Sequence, residues 1–143
     1  MQSETPAPRG AGPRTSEALR SALQDERNAL AFYEAVMDAH GTVRPFANIV
    51  NAERRHAAAI EALMLRYGVE DRIVEPSPIP AVPDSLRKCC DLAACLEREN
   101  IGMYDRLAEG VTERDILATF RNLQTASRDR HLPAFERASG RGA

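Results

Sequence analysis

The chain has 143 residues, a formal net charge of −2, 43% hydrophobic and 5% aromatic residues, and no Trp. That is one domain's worth of chain, long enough to bury a core without disulfides, and its residue usage leans all-α. The small charge gives no footing for nucleic-acid binding. No apolar run approaches the roughly 20 residues that span a bilayer, and three cysteines fit a reducing compartment, so a cytoplasmic protein is expected, with no membrane partner.

Residues 1–14 hold Pro6, Pro8, Pro13, Gly10 and Gly12 without apolar periodicity, and are expected to be a disordered tail. Thr15 or Ser16 should cap the first helix. Its apolar stripe is Leu19, Ala22, Leu23, Leu30, Tyr33 and Met37, and Glu26 falls inside the stripe. Gly41, after His40, ends it. His40 reads as a cation at that helix C-terminus. The second helix starts near Pro45 and stops at Gly68, with the stripe Ile49, Ala52, Glu53, His56, Ile60 and Leu63.

Residues 69–83 contain Pro76, Pro78, Pro80 and Pro83, too many prolines for helix or central strand. Near polyproline geometry they would extend about 45 Å, more than the about 35 Å length of a bundle helix. The loop can therefore cross the whole bundle, which would leave the second and third helices parallel. Asp84 or Ser85 caps the third helix, whose stripe is Leu86, Cys90, Ala93, Glu97, Ile101 and Tyr104, and Gly110 closes it. Thr112 with Asp115 opens the fourth, whose stripe is Leu117, Phe120, Gln124, Ser127, His131 and Phe135. Pro133 should kink it or end it early. The expected fold is all-α: a four-helix bundle over 15–138, two antiparallel hairpins joined by a long crossover, with a C-terminal tail at 139–143.

Glu53-Arg54-Arg55-His56 places a carboxylate and an imidazole three residues apart, on one helical face, where they can clamp a metal ion. Glu26, Glu53, His56, Glu97 and His131 come from four helices and face one interior. Buried charges are costly unless paired or metal-bound. Mixed oxygen and imidazole donors suit iron, manganese or zinc, whereas Cu(I) would want sulfur. The plainer alternative pairs each Glu with a surface Arg. Tyr33 follows Glu26 by seven residues and Tyr104 follows Glu97 by seven, so each hydroxyl can lean back toward the Glu of its own helix. Cys89, Cys90 and Cys95 point in different directions and read as packing residues, and Met37, Met64 and Met103 as core fillers.

The pattern Glu26-x6-Tyr33, Glu53-x-x-His56, Glu97-x6-Tyr104 and His131 resembles the rubrerythrin-related side of the ferritin-like superfamily. Val43-Arg44-Pro45-Phe46-Ala47-Asn48-Ile49-Val50 and His131-Leu132-Pro133-Ala134-Phe135 look like an uncharacterised bacterial ferritin-like domain family. The resemblance implies Glu26 as terminal ligand of one metal, Glu53 as bridge and His56 as imidazole ligand. Glu97 and His131 would serve the second metal, and Tyr33 and Tyr104 would orient carboxylates. It also implies iron, with manganese or zinc as alternatives, reacting with oxygen or peroxide in ferroxidase- or peroxidase-type oxidoreductase chemistry. Whether the chain is an enzyme is left open, and a homodimer rests on analogy alone. The departure is Arg128, which stands where the superfamily places a fourth carboxylate. Pointing outward, it leaves one well-held metal and one weak one; the central position of His131 favours this. Pointing inward, it would pair with Glu97 or Glu26, repel metal and leave a structural or interaction module.

Overall fold

The computed structural model describes residues 10–72 and 77–140. Of the expected tails, 1–9 and 141–143 lie outside them. The first helix, α1, runs Pro13–His40 and so takes in the last two residues assigned to the tail. Gly12 stands at its N-cap in place of Thr15 or Ser16, with Pro13 in the first turn, where its missing N–H costs nothing. α2 spans Phe46–Tyr67, α3 Leu86–Ala108, and α4 Arg114–Ala126. A π-helical turn, Ser127–His131, continues directly into α5, Leu132–Ser139. These last three segments form one rod, the fourth of an all-α four-helix bundle; the described residues contain no strand.

The ends follow local chemistry. Ser85 caps α3 by accepting from the Lys88 N–H. Gly68 takes a left-handed conformation, φ 65°, that lets the Val69 N–H close on the Met64 carbonyl. Glu113, not Thr112, precedes α4, and its carboxylate accepts from the Thr112 N–H. Pro133 does not end the fourth rod, which stays helical to Ser139. Its ring and missing N–H cannot continue a regular α ladder, and the wider π turn immediately before it absorbs the misfit.

Cross-contacts fix the topology. The Ala11 N–H donates to the Tyr67 carbonyl, so α1 and α2 are antiparallel. The Arg87 guanidinium donates to the Ser139 carbonyl, so α3 and the fourth rod are too. Arg14 at the start of α1 packs against Gly110 just past α3. The C-terminal ends of α2 and α3 therefore share one end of the bundle, and these two helices are parallel. The described parts of the crossover, 69–72 and 77–85, touch the bundle at successive levels. Arg20 donates to the Glu70 carbonyl, Pro78–Pro80 lie beside Asp25 and Leu96, and His40 Nε2 meets the Pro83 carbonyl at 2.8 Å. His40 thus ties down the loop.

Two apolar clusters fill the bundle, one above the other. One gathers Leu19, Leu23, Ile60, Met64, Tyr104, Ile116 and Phe120. The other gathers Phe32, Tyr33, Phe46, Cys89, Cys90 and Phe135. Three of the four phenylalanines (Phe32, Phe46, Phe135) lie in the second cluster and are fully buried, and burial of each contributes about 1.5–3 kcal/mol. On α4 the buried face is Ile116, Phe120 and Leu123, one position from the expected Leu117 and Gln124. Leu86 is exposed, and Cys95 is exposed where packing was expected. No helix among the described residues is long and apolar enough to cross a membrane.

Candidate metal centre

Between the two apolar clusters sits a polar one. Glu26 from α1, Glu53 and His56 from α2, Glu97 from α3 and His131 from the π turn are all buried, none more than 7% exposed. They form two triads, Glu26–Glu53–His56 and Glu53–Glu97–His131, whose ligand atoms lie within 4.8 Å of one another. Glu53 belongs to both. Its Oε2 lies 3.6 Å from His56 Nδ1 and its Oε1 lies 3.2 Å from His131 Nδ1. Glu26 Oε2 is 3.5 Å from His56 Nδ1, and Glu97 Oε1 is 3.4 Å from His131 Nδ1. The two imidazoles stack, with centroids 5.4 Å apart and planes 17° from parallel.

Both Nδ1 atoms and Glu53 Oε2 are buried without a hydrogen-bond partner. Buried polar atoms normally find one. Here the unsatisfied atoms are an imidazole nitrogen at each side and a carboxylate oxygen between them, a donor set that fits a cation. This group could hold a metal ion.

Electrostatics say the same. Burial opposes the imidazolium at His56, but the adjoining Glu26 and Glu53 carboxylates raise its pKa to about 10. His131, likewise opposed by burial, is raised to about 9 by Glu53 and Glu97. Burial pushes Glu53 up to about 8, helped by the charge of Glu26. Burial would also raise Glu26, but the adjoining Glu53 carboxyl and His56 imidazole, with the bond from Tyr104, hold it down, to about 2. Without metal, protons must neutralise the cluster.

The tyrosines bond across the bundle, not along their own helices. Tyr33 donates to Glu97 Oε1 at 2.8 Å, and Tyr104 donates to Glu26 Oε1 at 2.6 Å. This corrects the expectation that each would serve the Glu seven residues before it. Burial and those same carboxylates push both phenols well above 10, so they remain donors.

Arg128 is not at the site. Its side chain is 53% exposed and its Nε donates to Asp129 Oδ1. The cause is the π turn. A wider turn rotates each residue less, so the residue three before His131 leaves the inner face and the residue four before it takes its place. Ser127 is that residue, 1% exposed, with Oγ donating to Asn100 Oδ1 at 2.9 Å. The inward Arg128 pairing does not occur.

Asn100 is the residue that the sequence reading missed. It is buried on α3, and its Nδ2 donates to Asp25 Oδ2 at 2.6 Å and to Glu26 Oε1 at 3.3 Å. A signal existed: Asn100 follows Glu97 by three residues, the spacing of Glu53 to His56. Burial pushes its partner Asp25 up to about 6, against the lowering effect of that hydrogen bond.

Fold and site together define an all-α four-helix bundle with a buried carboxylate–imidazole cluster able to take a metal. A family profile described as an uncharacterized protein domain, DUF2202, matches residues 17–78. That span includes Glu26, Glu53, His56 and the Val43–Val50 phrase, but not Glu97 or His131. The crystal structure of the hypothetical protein MJ0754 from Methanococcus jannaschii DSM 2661 is similar, with a TM-score of 0.81 at 21% identity. The likeness covers 96% of this chain and 86% of that one, and is one of fold. No curated protein matches the chain.

Proposed function

We propose that the chain is a ferritin-like protein whose bundle holds a pair of divalent transition-metal ions, iron first, with manganese or zinc as alternatives. The observation that carries this reading is the shared Glu53, with one oxygen turned to each imidazole. Glu26 and His56 complete one side, Glu97 and His131 the other. The donors are all oxygen and imidazole nitrogen, which suits iron, manganese or zinc over Cu(I).

Bound there, any of these ions would supply Lewis acidity, and iron or manganese, unlike zinc, would add one-electron redox capacity toward oxygen or peroxide, the basis for an oxidoreductase of the ferroxidase or peroxidase type. The chain's own residues do the rest. Tyr33 and Tyr104 fix Glu97 and Glu26 by hydrogen bonds, which orients these carboxylates: Tyr104 holds Glu26 Oε1 and leaves Oε2, the oxygen toward His56, for the ion, while Tyr33 holds Glu97 Oε1, the oxygen that also faces His131. The apolar clusters on either side keep water from the centre. The free thiols of Cys89, Cys90 and Cys95 fit a reducing, cytoplasmic compartment. The alternative, a defunct site neutralised by Arg128, loses its motive with that guanidinium in solvent.

Metal analysis tests the proposal. Metal-free protein reconstituted anaerobically with Fe(II), Mn(II) or Zn(II), then desalted, should retain at least one ion per chain. Trace metal from all three would refute it.

A further inference from the structure

An ion must reach this centre through packed helices. Apolar clusters close it along the bundle axis, so the way in runs sideways. One buried polar side chain links the cluster to an accessible carboxylate. Asn100 Nδ2 stands 3.3 Å from Glu26 Oε1 on the inside and 2.6 Å from Asp25 Oδ2 on the outside. Asp25 is half-buried and borders two surface cavities at once. The larger, about 380 Å³, has Arg20 and Arg72 in its wall. The smaller, about 230 Å³, lies under the crossover loop at Pro78, Ile79 and Pro80, and its charged lining residues are Asp25 and Glu99. A cleft whose charged groups are all acidic concentrates cations. At the inner end wait the unpartnered Glu53 Oε2 and His56 Nδ1.

We propose that Asp25 and Asn100 form the route by which a divalent cation passes from the chamber under the proline-rich loop to the buried centre. This rests on the metal reading above. Asp25 and Glu99 gather the ion and replace part of its water. Asn100 is neutral, so it bridges the two carboxylates without adding a charge that would trap the ion midway. Glu26 receives it, being next to Asp25 in sequence and bonded to the same amide. The rival path lies between α2 and the fourth rod, where His56 and His131 are 7% and 4% exposed.

Stopped-flow uptake of Co(II) by the metal-free full chain, read by visible absorption, separates these paths. D25N keeps an acceptor for Asn100 and removes only charge. Its association rate should fall about tenfold at low salt, with E99Q falling less and D25E restoring the rate. High salt should shrink the deficit, and the final Co(II) content should match wild type. A purely structural Asp25 would alter stability but not this salt-dependent rate. Should D25N lose helicity by circular dichroism, the E99Q rate decides. Wild-type rates in both variants would overturn the route while leaving the metal reading intact. A wild type that takes up no Co(II) would overturn both.

Discussion

The Tyr33 hydroxyl reaches across the bundle to Glu97, 64 residues away in sequence, at 2.8 Å. Tyr104 returns the favour to Glu26 at 2.6 Å. The two hairpins are thus stitched through the carboxylates of the centre itself. Assembly of the bundle and orientation of the site become one event.

Removing either stitch leaves a buried carboxylate short of a donor. Y33F and Y104F should each destabilise the metal-free fold by about 1–3 kcal/mol, the range for leaving a buried acceptor without its donor. Urea denaturation monitored by circular dichroism would measure it. Unchanged midpoints in both variants would mean that the cross-bundle bonds contribute nothing.

The π turn makes Ser127, not Arg128, the inner-face residue before His131. S127D should therefore add a ligand and tighten the weaker of the two ions about tenfold or more, while R128E should leave binding within about twofold. Each such tenfold is about 1.4 kcal/mol. Calorimetric Zn(II) titration compares the variants, and the reverse order would contradict the assignment.

Proton and metal compete for the same atoms. His56 and His131 are raised to about 10 and 9 in the fold, above an unfolded value near 6.5. Glu53 is raised to about 8 from 4.5. A raised pKa means that the fold binds more protons than the unfolded chain, so that contribution is full at low pH and fades as pH rises. Glu53 loses its share between about 4.5 and 8, the histidines between about 6.5 and 10. Glu26, held low at about 2, contributes a constant amount above about 4.5. Metal-free protein should consequently lose stability from pH 6.5 to 10. Saturating metal should abolish that loss, since the ion replaces the protons. Denaturation midpoints with chelator and with metal at pH 6.5, 8 and 9.5 would decide it.

Much of this was legible in the residues. Glu26, Glu53, Glu97 and His56 could be assigned to the interior because each falls on an apolar stripe of period 3.6 in a regular helix. Gly41, Gly68 and Ser85 marked ends for local reasons that tertiary packing did not override. The parallel setting of α2 and α3 followed from loop reach. The tyrosine partners were not legible, because a side chain's lean along its own helix says nothing about which helix lies opposite. The outward setting of Arg128, favoured by the central position of His131, is the one found, but the face of α4 was drawn one position off at Leu117 and Gln124, because the stripe was run through His131 and a period of 3.6 does not hold through a π turn. Asn100 was missed because the stripe was drawn through its neighbour Ile101, which is only half-buried, and a neutral amide draws no electrostatic notice until its partners are known.

The sharing of Glu53 by both triads is the claim on which the account turns. Equilibrium titration of the metal-free chain with Mn(II) or Fe(II), counted by elemental analysis, tests it in wild type, E26Q, E97Q and E53Q. The account predicts two ions in wild type, one in E26Q or E97Q, and none held tightly in E53Q. Full loading of E53Q, or no loading of the wild type, would contradict it.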